Sequence, residues 1–406
     1  MAKVQPITLK NATIWNGKSH EIRDLHFAER MLDAPADDAL TIDLEGYTVF
    51  PGMVNAHDHL ELNHYPRTKF RDIYDNAHQW GEDVNAQLDS EPYKTLRAYP
   101  LWDRCFIGGL KNLLCGALTV AQHGPPHKPL FRKDFPVHVL KQYGWAHSLH
   151  FNTEAEIIAS YNKIPHNIPW FIHLAEGTDD VAKSEYKRLK ALGLEFFNKT
   201  VLIHATAILL SEDIPTDDVR GIVWCPSTNA YLLGKDAVPK MTEIKFFKTN
   251  AFALGSDSRL TANGDLLDEL NFAFQTNTQL TEHPTILWQM VFDEGRFILS
   301  HERNHDWFTK EFFADFFLLR TQDNDAVNLF TSSRKDLHLI VKGGIPQIGD
   351  PELMAKFTHV ETVPAVLDGV PKAVNINLAH QINKCKLNEH GLNVENIPPK
   401  RFWSFG

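Results

Sequence analysis

Four apolar runs of the sequence end in residues that bind metal ions or move protons. His57 and His59 close the run VFPGMVNAHDH, His173 lies in FIHLAE, His204 in LIHAT and Asp257 in LGSDS. Imidazole nitrogens together with one carboxylate are typical ligands of zinc or ferrous iron. The four cysteines form no CxxC pair, which argues against a structural zinc site built from thiolates. The pattern therefore predicts a divalent metal site that suits zinc or iron, with zinc placed first.

Each of these residues also has an ordinary structural explanation. With 21 histidines in the chain, an H-x-H pair is expected about once by chance, and a lone histidine on an apolar strand is usually a hydrogen-bonded core residue. Asp257 after Gly and Ser is also typical of a helix N-cap. However, two histidines at a spacing of two point to the same side of an extended strand. The joint occurrence of these residues in several strands favours the ligand interpretation.

Glu176 lies three residues beyond His173, where a carboxylate is close to the expected metal without being its ligand. We expect it to act as a proton shuttle, although a solvated loop charge is the alternative. A divalent ion in such a site supplies hydroxide near neutral pH. His204 and Asp257 are then candidates for taking or orienting the proton.

Parallel strands are the elements that must bring these residues together. After residue 51, short apolar runs alternate with longer amphipathic stretches, which is typical of βα units. Seven candidate strands cover 50–57, 117–123, 144–151, 169–176, 200–206, 221–226 and 252–258. An eighth over 135–140 stays open, because the three residues after it are too few for a crossover. The sequence therefore predicts an α/β fold, a (β/α)8 TIM-like barrel over 51–310. In such a barrel the carboxyl ends of the strands form one mouth, where the candidate residues would meet.

The two ends of the chain differ in pattern from this central part. Short alternating runs broken by Gly, Pro and Asp indicate small antiparallel strands before residue 50 and again after about residue 311. We therefore predict a small, discontinuous β-sandwich built from 1–50 and 311–406. Helices are predicted over 96–116 and 179–193, and from Asp265 to Phe274.

The segments PGMVNAHDH, HLAE, LIHA, WCPSTNAYLLG and ALGSDS, in this order, resemble the amidohydrolase superfamily. The resemblance covers most of residues 50–265 and is closest to the branch of cytosine deaminase, guanine deaminase and the triazine hydrolases. It implies one divalent metal bound by His57, His59, His173 and Asp257. It also implies that Glu176 and His204 act on the water and the substrate. A binuclear centre of the kind bridged by a carbamylated lysine would need Lys141, the only nearby candidate, which lies in a turn-like context.

Further residues near the expected mouth are candidates for substrate binding, although core packing or loop capping is an equal alternative. They are His64, Tyr65, His123, Asn229, Ser258 and Arg259. An arginine such as Arg259 would clamp a carboxylate or phosphate of the substrate through two hydrogen bonds. Trp80 and Phe70 either form an aromatic lid or lie on a surface helix.

The sequence therefore predicts a metal-dependent amidohydrolase that hydrolyses a carbon–nitrogen bond of a small molecule, with deamination of an amino-heterocycle first. Cyclic-amide or N-acyl hydrolysis at the same site is the alternative, and a catalytically inactive scaffold is the alternative from another class. A nicotinamide oxidoreductase would need a G-x-G-x-x-G after its first strand, and the chain has none.

Composition narrows the partners and the compartment. With 41 Lys and Arg against 51 Asp and Glu, the net charge is −10, which disfavours a nucleic-acid partner. The chain has no apolar segment long enough to span a membrane and no signal-peptide pattern at its start. We expect a cytoplasmic protein with a small-molecule substrate, and a homo-oligomer stays open.

Overall fold

The computed structural model of the chain describes residues 4–15, 19–195, 197–211, 219–239, 251–301 and 306–397. Its strands are β1 (Ile7–Trp15), β2 (His20–Phe27), β3 (Met31–Leu32), β4 (Leu40–Asp43), β5 (Tyr47–Pro51), β6 (Met53–Asp58), β7 (Ala117–Gln122), β8 (His138–Val139), β9 (Gly144–Ser148), β10 (Trp170–Leu174), β11 (Thr200–His204), β12 (Gly221–Trp224), β13 (Ala251–Leu254), β14 (Phe316–Arg320), β15 (Leu339–Lys342), β16 (Ile345–Gly349), β17 (Thr362–Leu367), β18 (Val370–Asn375) and β19 (Leu392–Val394). Its α-helices are α1 (Ala77–Gln87), α2 (Tyr93–Arg97), α3 (Leu101–Leu114), α4 (Glu154–Asn162), α5 (Asp180–Ala191), α6 (Thr206–Leu209), α7 (Pro226–Leu233), α8 (Leu266–Thr276), α9 (Thr278–Glu282), α10 (Thr285–Val291), α11 (Asp293–Ser300), α12 (Asp325–Thr331), α13 (Pro351–Met354) and α14 (Ile376–Lys384).

Eight parallel strands, β6 to β13, form the part of the chain that carries the predicted site. They fall into two sheets, β6-β7-β8 and β13-β12-β11-β10-β9, and all pairs within each sheet are parallel. The mixed α/β fold with parallel strands is thus confirmed, and the eighth strand is present as β8. The closed barrel is not confirmed, because β8 does not pair with β9 and β13 does not pair with β6. At the first break β8 is only two residues long, and residues 140–143 leave no room for a crossover helix.

The strands form because they are continuous apolar runs that can be buried on both faces, as parallel strands usually are. In β10 and β11 every residue is buried. Alternate residues belong to different cores: Phe171, Val201 and Ile203 pack in one cluster between the strands, while Ile172 and Leu202 pack with the surrounding helices. One face of each strand therefore points into the centre of the parallel strands, and the other faces the helices.

The ends of the chain share one large sheet. Its path is β19-β17-β18-β16-β15-β14-β5-β1-β2-β3, with β4 paired to β1, and β5 meets β14 in antiparallel register. Because hydrogen bonds link these strands into one path, the two-sheet sandwich expected from the sequence is not confirmed. The division into a sandwich over 1–50 and 311–406 and a barrel over 51–310 stays a prediction, and residues 398–406 of it lie outside the described part of the chain.

The predicted helices are present with different bounds. The stretch 96–116 divides into α2 and α3 around Pro100, which has no N–H for a continuous helix. α5 occupies the second predicted stretch, and α8 begins after Asp265, whose side chain accepts from the amides of Leu267 and Asp268. Among the described residues, no helix combines the length and apolar character that crossing a membrane requires.

Candidate metal centre

Four side chains predicted to bind a metal meet at one point beyond the carboxyl ends of the strands. The Nε2 atoms of His57 and His59 lie 3.4 and 3.3 Å from Nε2 of His173. The Oδ1 atom of Asp257 lies 3.7 Å from Nε2 of His57 and 3.8 Å from Nε2 of His59. Four ligand atoms placed tetrahedrally at about 2.1 Å from a zinc ion are about 3.4 Å apart. The donor atoms therefore have the types and separations that a zinc ion requires.

Irregular backbone aims these side chains at the common point. The register between β6 and β7 shifts between Asn55 and Asp58, just where His57 is placed. His204 and Asp257 have positive φ angles of 65° and 53°, in the left-handed region that non-glycine residues seldom adopt. Ala175, between His173 and Glu176, has φ 56°. Such strained residues cost about 1–3 kcal/mol each and cluster at functional sites, which favours a functional role for these strand ends.

Hydrogen bonds hold the ligands in the orientation that a metal needs. Nδ1 of His173 lies 3.0 Å from the His147 carbonyl oxygen, so its donated proton leaves Nε2 free for the metal. The second carboxylate oxygen of Asp257 accepts from the hydroxyls of Thr228 at 3.2 Å and Thr261 at 3.0 Å. Neighbouring groups therefore fix both the tautomer of the imidazole and the direction of the carboxylate.

The electrostatic environment keeps the ligands in their binding-competent protonation states. Burial lowers the pKa of His57 and lowers the pKa of His173 well below the usual value. Burial alone would raise the pKa of Asp257, but the hydrogen bond with His57 and the other imidazoles around the carboxylate outweigh it and hold that pKa well below its usual value. Neutral imidazoles and an ionised carboxylate are the forms that bind a divalent ion.

Glu176 and His204 form a second pair beside the four ligand atoms. Oε2 of Glu176 lies 3.5 Å from Nε2 of His204, and Nδ2 of Asn229 is 3.2 Å from Nδ1 of the same imidazole. Burial raises the pKa of Glu176 well above its usual value, with a further contribution from Asp257, and burial lowers the pKa of His204 to about 3. The pair therefore combines a carboxyl group whose pKa is raised with an imidazole whose pKa is lowered, which suits proton transfer.

A cavity of about 470 Å³ opens directly onto these residues. Its wall contains three of the proposed ligands, His59, His173 and Asp257, together with Glu176. It also contains the aromatic side chains of Tyr65, Trp80, Tyr93, Trp145 and Phe151. Trp80 lies on α1, which covers one side of the cavity, and its indole N–H donates to the Thr68 carbonyl oxygen at 3.0 Å. A volume of this size with aromatic walls suits a flat, small organic molecule.

The predicted substrate-binding residues fall in different places. Tyr65 and Ser258 line the cavity. His123 lies behind it, stacked on His173 with 4.1 Å between ring centroids. His64 is not among the cavity residues: its Nε2 contacts the Leu96 carbonyl oxygen at 2.9 Å. Phe70 is also outside the lining and is 46% exposed, whereas Trp80 lies on α1 and lines the cavity.

Two sequence-based interpretations are not supported by the positions of the residues. The guanidinium of Arg259 is bound by both carboxylate oxygens of Glu389, at 2.8 and 2.6 Å, and does not reach the cavity, so the expected clamp for an anionic substrate has no basis in its position. Lys141 is exposed and lies in the connection between β8 and β9. A lysine bridge between two metals is therefore not formed by this residue.

Sequence reasoning missed the polar groups that support the ligands. Asn55 and Asp58 flank His57 within the H-x-H segment, and Lys111 lies on α3, fully buried. Thr228 and Thr261 bond Asp257 from other elements. The first two were visible as polar residues inside an apolar strand, but Lys111 carries no signal in the sequence other than its place on the apolar face of a helix.

Comparison with solved structures places this arrangement in a known fold. An adenosine deaminase from Xanthomonas campestris with bound zinc has 14% sequence identity and a TM-score of 0.56, and the match covers 87% of this chain and 96% of that one. Atrazine chlorohydrolase from Arthrobacter aurescens complexed with zinc has 13% identity and a TM-score of 0.64, with 87% and 98% covered. The chain shares their fold.

A third structure, the Helicobacter pylori aminofutalosine deaminase in complex with methylthio-coformycin, has 14% identity and a TM-score of 0.54, covering 84% of this chain and 99% of that one. No family model matches the sequence, and no curated protein matches it. The structural comparisons agree with the branch that the sequence motifs resemble. At these identities they establish the fold, so the activity has to be argued from the site.

Proposed function

We propose that the protein is a metal-dependent hydrolase of the amidohydrolase superfamily that removes ammonia from a small amino-heterocycle. The observation that carries the proposal is the convergence of His57, His59, His173 and Asp257 at the separations of a tetrahedral zinc site, with Glu176 and His204 beside it. Structures of the same fold that contain zinc support the choice of metal.

The residues present fit a divalent ion, and their roles follow from their positions. When bound, such an ion acidifies water and so supplies a nucleophile at neutral pH. Glu176, a buried carboxyl group with a raised pKa, is placed to pass a proton to a ring nitrogen of the substrate. His204 faces Glu176 through Nε2 and is held at Nδ1 by Asn229, so it orients the reacting groups without carrying a charge of its own.

The walls of the cavity support an aromatic substrate. Trp80, Tyr93, Trp145 and Phe151 offer ring faces and edges against which a flat heterocycle packs favourably. Among the described residues, no lysine or arginine lines the cavity. We therefore place an uncharged heterocycle ahead of substrates with a carboxylate or phosphate group.

The test combines metal analysis with an activity screen. We expect about one zinc per chain in the purified protein and ammonia release from at least one member of a panel of amino-heterocycles, cyclic amides and N-acyl compounds. Glu176→Gln should keep the zinc and lose turnover, because the amide cannot carry the proton. Glu82→Gln, the same change at an exposed position on α1, is the matched control and should keep both.

Three results would contradict all or part of the proposal. A stable protein that takes up no divalent metal would instead be the inactive scaffold considered from the sequence. A Glu176→Gln variant that turns over substrate as fast as the parent would remove the assigned proton transfer. Turnover of a cyclic amide without ammonia release would keep the metal chemistry but replace deamination by ring opening.

A further inference from the structure

The two histidines at the end of β6, His57 in the strand and His59 just after it, are separated by a buried aspartate whose side chain points away from the metal centre. Asp58, between His57 and His59, is fully buried, and its Oδ2 accepts from Nζ of Lys111 at 2.9 Å and from Nδ2 of Asn112 at 2.7 Å. Both partners lie on α3. While the two histidines point to the metal centre, the residue between them therefore anchors the strand to the helix behind it.

Lys111 also holds the segment that carries the aspartate ligand. Its Nζ donates to the backbone carbonyl oxygen of Asp257 at 2.9 Å and to Oγ of Ser256 at 3.0 Å. Asn55 reinforces the same junction, since its side chain contacts Oγ of Ser256 at 2.7 Å and accepts from the Ser256 amide at 2.9 Å. One buried ammonium group thus contacts both ligand-bearing segments.

This junction lies where the parallel strands are not joined as a sheet. β6 and β13 belong to different sheets, and the amide of Asp257, three residues beyond the end of β13, donates to the carbonyl oxygen of His57 in β6 at 3.0 Å. In a continuous sheet, a ladder of hydrogen bonds would fix the separation of the two segments. Here the side chains of Lys111, Asp58 and Asn55 supply most of the cross-links.

We propose that Lys111, paired with Asp58, is a positioning residue of the metal centre, which fixes Asp257 relative to His57 and His59 across the interrupted junction of β6 and β13. This inference rests on the metal centre proposed above. Lys111 touches neither the metal nor the substrate and acts through the backbone of Asp257 and the side chain of Asp58. Such supporting groups typically change metal affinity by about 10- to 100-fold.

The packing of α3 shows that the contact is built into the fold. At Gly108, one turn before Lys111, a Cβ atom would overlap the backbone carbonyl of Leu60. The helix therefore approaches the segment after His59 more closely than a side chain would allow. This close approach brings the Lys111 amine within hydrogen-bond distance of both segments.

The test measures zinc affinity of the full-length protein by competition with a chromophoric chelator. Lys111→Met keeps most of the stem and removes the amine, and we expect it to bind zinc about 10- to 100-fold more weakly than the parent. In the cobalt-substituted protein its visible absorption spectrum should also change, because the ligand geometry changes. If Lys111→Met does not fold, Asp58→Asn, which keeps the side-chain shape, carries the same expectation.

Lys372→Met is the matched control, because Lys372 is an equally buried ammonium far from the site. It donates to the Leu337 carbonyl oxygen at 2.8 Å and to Oδ1 of Asp350 at 2.7 Å within the terminal sheet. This variant should lower the melting temperature of the metal-free protein while keeping the zinc affinity and the cobalt spectrum.

The outcomes separate the inference from the proposed function. A parent protein that binds no zinc refutes the metal centre itself. A parent that binds zinc, with Lys111→Met binding it equally tightly, overturns the positioning role alone. The positioning role is also refuted if Lys111→Met and Lys372→Met lose zinc affinity to the same extent, because the loss would then reflect general destabilisation.

Discussion

The buried carboxylate of Glu389 links Arg259, which follows β13, to Arg334 in the C-terminal part of the chain. We expect its removal to lower the free energy of unfolding substantially. Its oxygens accept two hydrogen bonds from Arg259, at 2.8 and 2.6 Å, and one from Arg334 at 2.5 Å. Arg334 has a second carboxylate partner in Asp368. Among the described residues, Arg259 forms an ion pair with Glu389 alone, and Asp265 acts on it only through longer-range attraction.

The expected magnitude follows from this difference. Breaking a buried ion pair by removing one partner costs about 3–5 kcal/mol, because the remaining charge stays buried without compensation. Glu389→Gln keeps one acceptor oxygen, and Arg334 keeps Asp368, so the loss comes mainly from Arg259. We therefore expect the variant to lose about 3 kcal/mol of the free energy of unfolding, at the low end of that range.

The effect should also depend on pH. Burial raises the pKa of Glu389, but the hydrogen bonds and charges of Arg259 and Arg334 outweigh it and hold the pKa below its usual value. A carboxyl group with a depressed native pKa stabilises the fold above its unfolded pKa of about 4.3 and loses that contribution as the pH falls through the native pKa. The difference between the parent and Glu389→Gln should therefore be full at neutral pH and shrink in acid.

Urea unfolding followed by tryptophan fluorescence measures this difference, provided that the slope of the transition is the same in both proteins. Asp134→Asn is the control, because Asp134 forms a similar two-bond pair with Arg132 at the surface, at 2.9 and 2.8 Å. An exposed pair of this kind is worth about 0–1 kcal/mol. If Glu389→Gln costs no more than Asp134→Asn, the burial argument is refuted.

Two further predictions concern Trp80 in the cavity wall and the buried carboxyl group of Glu269. Trp80→Ala should weaken the binding of an aromatic ligand about tenfold, because roughly 1.4 kcal/mol of ring contact is lost, and should leave the zinc content unchanged. Titration with the ligand measures the dissociation constant. An unchanged dissociation constant would contradict the prediction. Burial raises the pKa of Glu269 to about 8 although the hydroxyl and amide of Ser227 lower it. Because the native carboxyl keeps a proton that the unfolded chain has lost, parent stability should fall between about pH 4.3 and about pH 8, and melting curves of Glu269→Gln should lack this slope.

The sequence was sufficient to predict the parallel strands and the residues at their ends, because both depend on local patterns. Continuous apolar runs identified β10, β11 and β12, and the histidines near the ends of the first two runs identified His173 and His204 as site residues. Closure could not be predicted in the same way. Whether β8 pairs with β9 depends on the geometry of residues 140–143 and on long-range packing, which leave no periodic signal.

The direction of a side chain was harder to predict than its position in the chain. Val201 and Ile203 of β11 face the centre of the parallel strands, so strict alternation would turn His204 outward, towards the helices. Its positive φ of 65° reverses that direction and brings Nε2 to Glu176. The register shift around His57 has the same effect on β6.

Within the parallel strands, departures from regular geometry at the strand ends therefore distinguish the site from the core. A histidine that only packs in the core needs no strained backbone, because regular alternation along the strand already places its side chain on one of the two buried faces. Strain at His204, at Asp257 and in the turn at Ala175 is stable only because the surrounding contacts hold it. Lys111 and Asp58 provide such contacts for the Asp257 segment. This strain lowers the stability of the fold, which is understandable if selection acts on the positions of the ligand atoms. A fold that never binds an ion would have no reason to retain the strained conformations.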